Sequence, residues 1–111
     1  MEKPDKTYRA INLIEKYGED SIEWKSDRKK ELVREKHGID PERIMEIIEA
    51  KDFDRCISNP NPRTGFNYTE SFIVESEKSE DFRPKKYTFR IPIYFTETGE
   101  IKIATAWKIE R

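Results

Sequence analysis

The chain has 111 residues, enough for one domain with a modest core, and is 34% hydrophobic and 41% charged. The charged share lies well above the usual quarter for soluble domains, while 12% aromatic residues supply enough burial per residue to argue against disorder. With 22 Lys and Arg against 23 Asp and Glu the formal net charge is −1, which excludes a nucleic-acid binder working through its total field; any basic site has to come from local clustering.

Cys56, the one cysteine, permits no disulfide within the chain and fits a reducing compartment. It lies in a strand-like run, where a small buried hydrophobe is the natural role. No apolar run approaches the length of a membrane span, and the opening MEKPDKTYRA has no apolar signal core. The expectation is a soluble, cytoplasmic protein with no membrane partner.

Residues 1–20 read as an N-terminal extension that is mainly helical. Tyr8, Ile11, Leu13, Ile14 and Tyr17 cluster on one side at helical period over 7–17, and Gly18 can end the helix. Residues 21–111 read as a single domain. A short strand over 21–24 puts Ile22 and Trp24 on one face. Ser26 then caps a charged helix that runs to about His37 and carries the densest basic run, Arg28-Lys29-Lys30. The corner Lys36-His37-Gly38-Ile39-Asp40-Pro41 is explicit. Gly38 supplies the positive φ that ends a helix, Asp40 caps the next one, and Pro41 occupies its first position, where a missing N–H costs nothing. Ile39 and Ile44 are spaced as a hydrophobic staple. The second helix turns Ile44, Ile47 and Ile48 inward.

Residues 53–58 are strand-like. The loop 58–65, with Pro60, Pro62 and Gly65, is turn-rich, and 76–85 reads as an exposed connection. Between them Phe66, Tyr68, Phe72 and Val74 recur at period two, with Glu70 breaking the series. Tyr87, Phe89, Ile91, Ile93 and Phe95 alternate with polar residues, as do Ile101, Ile103 and Trp107, and Gly99 suits a hairpin turn between the two runs. Pro92 cannot donate to a ladder, so a bulge or an unpaired edge is expected beside it. The fold class is therefore α+β, with N-terminal helices packed on one face of a small antiparallel sheet. Trp24 and Trp107 are both expected in the core rather than as base-stacking platforms.

This order, with Ile22-Glu23-Trp24, the basic helix, Lys36-His37-Gly38-Ile39, the Pro41-Glu42 start of the second helix and the strand Ile101-Lys102-Ile103-Ala104-Thr105-Ala106, resembles the BrnT-type toxin family of bacterial type II toxin–antitoxin modules. The resemblance covers residues 21–110, and its most specific element is the spacing from the Trp to Lys-His-Gly-Ile. It implies a RelE-like fold, a metal-independent ribonuclease that cleaves RNA, and neutralisation by a cognate antitoxin protein. It places Arg28 where the family has a basic residue four after the Trp, and Lys36 and His37 at its Lys-His-Gly. The chain departs from the family at Lys25, where an acid is usual, and at Trp107, where an arginine is usual.

Metal-independent cleavage uses the 2′-hydroxyl as nucleophile and needs a base, an acid and cations around the pentavalent phosphate. Arg28, Lys36 and His37 are the catalytic residues the resemblance implies; Arg63 in the loop and Arg90 on a strand join them on chemistry alone. Lys25, Lys29, Lys30 and Lys108 are expected to hold RNA on the basic helix and the outward sheet face. Each has a plainer reading as a solvated charge, and His37 is favoured at a helix C-terminus by the dipole alone. One His and one Cys cannot close a zinc shell, and the four glycines form no phosphate loop, so no metal or cofactor is expected. The alternative function is a non-catalytic protein-binding module of the same fold.

Overall fold

The computed structural model describes residues 5–59, 68–76, 80–82 and 85–110. Arg63 and Phe66, with most of the Pro-rich loop, lie outside them. Three helices, α1 (Asp5–Tyr17), α2 (Asp27–His37) and α3 (Pro41–Ala50), precede most of the sheet, which comprises β1 (Ile22–Trp24), β2 (Phe53–Ser58), β3 (Tyr68–Ser76), β4 (Glu80–Phe82), β5 (Lys85–Thr96), β6 (Ile101–Ile103) and β7 (Trp107–Glu110). The architecture is α+β. The strand order is β1-β6-β5-β3-β2, with β4 and β7 also pairing with β5.

The corner between α2 and α3 has the predicted chemistry. Ser26 Oγ accepts from Lys29 N–H at 3.1 Å and starts α2. Gly38 adopts φ 61° and ψ 30°, its N–H donates to Arg34 O, and the Ile39 N–H reaches back to Val33 O. The Gly38 bond is the αL cap, in which the first residue past the helix returns its N–H to a carbonyl of the last turn. Asp40 then accepts from Glu42 N–H at 3.0 Å, and Pro41 opens α3. Ile39 and Ile44 are both buried.

One face of the sheet carries the core. Phe89, Ile91, Ile93 and Phe95 of β5, Phe72 and Val74 of β3, and Ile101 and Ile103 of β6 pack with Ala10, Leu13 and Ile14 of α1, Val33 of α2 and Ile44, Ile47 and Ile48 of α3. The N-terminal helix is tied in further: Tyr17 Oη donates to Thr96 O at 2.9 Å, and Arg9 pairs with Glu70 at 2.5 Å. Glu70 interrupts the period-two series because a bulge between Tyr68 and Glu70 shifts the register of β3 against β5.

Three expectations need correction. The sheet is mixed, not purely antiparallel, because β1 pairs with β6 in parallel, Ile22 opposite Ile101. The segment 76–85, read as a connection, includes β4, which pairs with the start of β5. The strand after the hairpin turn is broken: β6 and β7 both pair with β5, and 104–106 between them lie in neither.

That break has a definite cause and consequence. Ile103 faces Ile93 and Trp107 faces Arg90, so four steps on one strand match three on the other. In an antiparallel ladder a residue's N–H and C=O point to the same neighbour, and the Pro92 carbonyl accepts from Ala104 N–H at 3.3 Å. The missing N–H of Pro92 therefore faces the extra residue. One added residue inverts the side-chain phase of everything beyond it. Ile101 and Ile103 point into the core, Trp107 points to the opposite face, and Lys108 returns to the helix side.

Candidate functional site: a lysine-lined cleft

Helix α2 sits at the margin of the sheet, with Val33 in the core and Leu32 on the other side. Lys29, Leu32 and Lys36 follow one another at helical spacing, so they form a single stripe with the two lysines about 10 Å apart along the axis. Lys25, just after β1, is placed beside them because its N–H donates to Ile103 O at 2.9 Å. This stripe walls a cleft of about 450 Å³. Lys25, Lys29, Leu32, Lys36 and His37 form one side. The floor and far side come from the outward sheet face: Ile73 and Pro92, which are cross-strand partners, then Tyr94, Ala104, Thr105 and Trp107, with Asn59 at the end of β2.

The electrostatics are one-sided. Three lysines and the histidine line the cleft, and among its described lining residues there is no carboxylate, in a chain where acids slightly outnumber bases. Among the described residues, Lys29, Lys36 and His37 have no acidic partner. Low-dielectric walls on both sides of such a groove concentrate a positive potential that net charge does not reveal. The polar end is organised by Asn59, whose Nδ2 donates to Tyr94 Oη and Ser71 Oγ, each at 3.2 Å, while the Tyr68 ring meets Tyr94 edge-on. Among the described residues no group of three or more His, Cys, Asp or Glu side chains is placed to hold a metal ion.

The expected site residues divide. Lys25, Lys29, Lys36 and His37 are brought together at the cleft. Arg28 is exposed and lies about 100° round the helix from Lys29, outside the lining. Lys30 turns the other way and pairs with Glu42 of α3 at 3.5 Å. Arg90 does point outward, but it sits one row beyond the cleft floor between Glu75 and Trp107, with its Nε 3.4 Å from the buried Glu75 carboxylate. Lys108, carried to the helix side by the phase inversion, lies over the Tyr87 ring, 5.1 Å from its centroid, with Nζ next to Gly38. Arg28, His37 and Arg90 are thus not gathered in one site, and Arg63 lies outside the described residues.

Trp107 is the residue sequence reasoning missed. Trp24 packs against the core as expected, whereas Trp107 is partly exposed in the cleft. The signal for this lies in Pro92: a bulge there moves every later residue to the other face.

The fold and site together define an α+β domain with a cation-lined cleft between one helix and the outward face of a mixed sheet. Comparison with family models, with curated proteins and with solved structures returns no match for this chain. Among the described residues no helix is long and apolar enough to cross a membrane.

Proposed function

We propose that this protein is a BrnT-like, RelE-type domain that binds RNA in the lysine-lined cleft and cleaves it without a metal, as the toxin component of a type II toxin–antitoxin module. The observation that carries the reading is the convergence of Lys25, Lys29, Lys36 and His37 on one cleft without a lining carboxylate. Lys29 and Lys36 supply positive charge for two positions along a phosphate backbone. His37, at the cleft mouth and beside Lys36 in sequence, takes the 2′-hydroxyl proton. The 2′-oxygen attacks phosphorus, the bond to the 5′-oxygen breaks, and a protonated neighbour returns a proton to that oxygen. Lysines around the phosphate stabilise the charge of the pentavalent state. A cognate antitoxin would silence the protein by covering this cleft with acidic side chains.

The test is degradation of a mixed-sequence single-stranded RNA by the purified chain in excess chelator. Cleavage leaving 2′,3′-cyclic phosphate and 5′-hydroxyl ends, abolished in Lys36→Ala/His37→Ala, supports the reading. RNA left intact by well-folded protein refutes the catalytic part of it.

One observation favours a second reading. Arg90 is engaged by Glu75 and Arg28 lies off the cleft, so no described arginine lines it. A non-catalytic binding module of the same fold uses only the lysines, and it binds its partner without turnover.

A further inference from the structure

We infer that Trp107 is a base-stacking platform and that the cleft takes a single-stranded nucleotide segment, one base lying on the indole and the adjoining phosphates on Lys29 and Lys36. This deepens the RNA-binding reading and rests on it. Trp107 lies outside the buried cluster, although a tryptophan offers more apolar area to a core than any other side chain. The extra residue opposite Pro92 is what turns it to the cleft face. The surface beside it is made of Pro92, Ala104 and Thr105, small side chains that leave room for a flat ring, and Leu32 supplies an apolar wall. Lys29 and Lys36 line the same cleft from helix α2, and their charge is available to the phosphates of a stacked nucleotide.

The volume of about 450 Å³ is within the range of pockets that enclose small ligands and too small for a duplex. Stacking also requires an unstacked base. An A-form duplex presents none, so the ligand is single-stranded. An aromatic platform tolerates any base, because every base has a π-face.

The experiment uses the full chain carrying Trp24→Phe, so that indole fluorescence reports Trp107 alone, and a 2′-O-methyl oligoadenylate that cannot be cleaved. Quenching on titration with the single strand, with at least fivefold weaker quenching titres for the same strand annealed to its complement, is the expected result. In anisotropy with a labelled strand, Trp107→Ala lowers affinity about tenfold or more, while Trp107→Phe retains most of it. Circular dichroism of both variants shows whether they fold, and the quenching needs neither. Binding that is weakened by Lys29→Ala/Lys36→Ala but unchanged in Trp107→Ala, without quenching, overturns the platform and leaves the RNA-binding reading standing. Failure of the unsubstituted chain to bind the labelled strand in anisotropy overturns both.

Discussion

The Ala104 N–H donates to the Pro92 carbonyl at 3.3 Å, and beside this bond the hairpin strand gains one residue on its partner. The bond fixes which face every later side chain occupies. Trp107 reaches the cleft and Lys108 leaves it because of this one step. Deleting Thr105 leaves three steps opposite three, so Trp107 still faces Arg90 and the cleft, but Ala104 is then held opposite Pro92 in a plain ladder and its carbonyl meets no N–H. A ladder group left unpaired in this way costs about 1–3 kcal/mol. Urea unfolding of the deletion variant is expected to show that loss; wild-type stability would mean that the extra residue is not what accommodates Pro92.

The corner between α2 and α3 positions Lys36 and His37, so its cap has a measurable weight. Asp40→Ala removes the acceptor for Glu42 N–H and also the weak 3.9 Å pair with Arg34. The expected loss is about 0.5–2 kcal/mol in chemical denaturation. Asp40→Asn keeps the acceptor and is expected to recover most of it.

At the other end of α3, Lys51 ends the helix at φ 56°, the one described residue other than glycine with positive φ. A side chain in that conformation is strained, and glycine is not. Lys51→Gly is expected to raise stability by about 0.5–1 kcal/mol. By contrast Ile47→Ala, in the core, is expected to cost about 2–5 kcal/mol. Thermal or urea unfolding of the two variants should move in opposite directions.

Much of this is legible in the sequence, and what is not has physical reasons. The caps at Ser26 and Asp40 and the glycine stop at Gly38 are local chemistry, written within a few residues of where they act. The apolar alternation of β5 is likewise local, and it marks the core face correctly. The parallel pairing of Ile22 with Ile101 joins residues almost a whole chain apart and leaves no local mark. The cleft is half legible. Lys29 and Lys36 share a helix stripe that spacing reveals, but spacing cannot say which of two basic stripes meets the sheet, so Arg28 and Lys30 read as members of the same group. Lys108 and Trp107 fall on the wrong faces when alternation is carried straight through the bulge that Pro92 itself announces.

Cys56 gives a pH-dependent prediction. Burial pushes its thiol up to about 12 from an ordinary value of 9.0. Below about pH 9 the thiol is protonated in both folded and unfolded chains, and the stabilising difference is fully present. As pH rises from there toward 12 the unfolded thiol ionises while the folded one does not, so stability falls by about 1.4 kcal/mol per pH unit for this one proton. Cys56→Val removes that contribution. The stability difference between wild type and Cys56→Val, measured by urea unfolding from about pH 8 to about 10.5, is expected to shift against wild type above about pH 9. A constant difference would show the thiol to be accessible.

The central claim is that RNA is held by the cleft and not by basic residues in general. Two double charge reversals test it, Lys29→Glu/Lys36→Glu in the cleft and Arg28→Glu/Lys30→Glu outside it. Both change the net charge equally, so any difference reports position. The measurement is binding of a labelled, non-cleavable single-stranded RNA by fluorescence anisotropy across a salt series. The account predicts that the cleft reversal weakens binding about tenfold or more and flattens the salt dependence by roughly 0.7 for each phosphate no longer neutralised, while the outer reversal changes affinity by less than about threefold. Equal weakening by the two variants would contradict it.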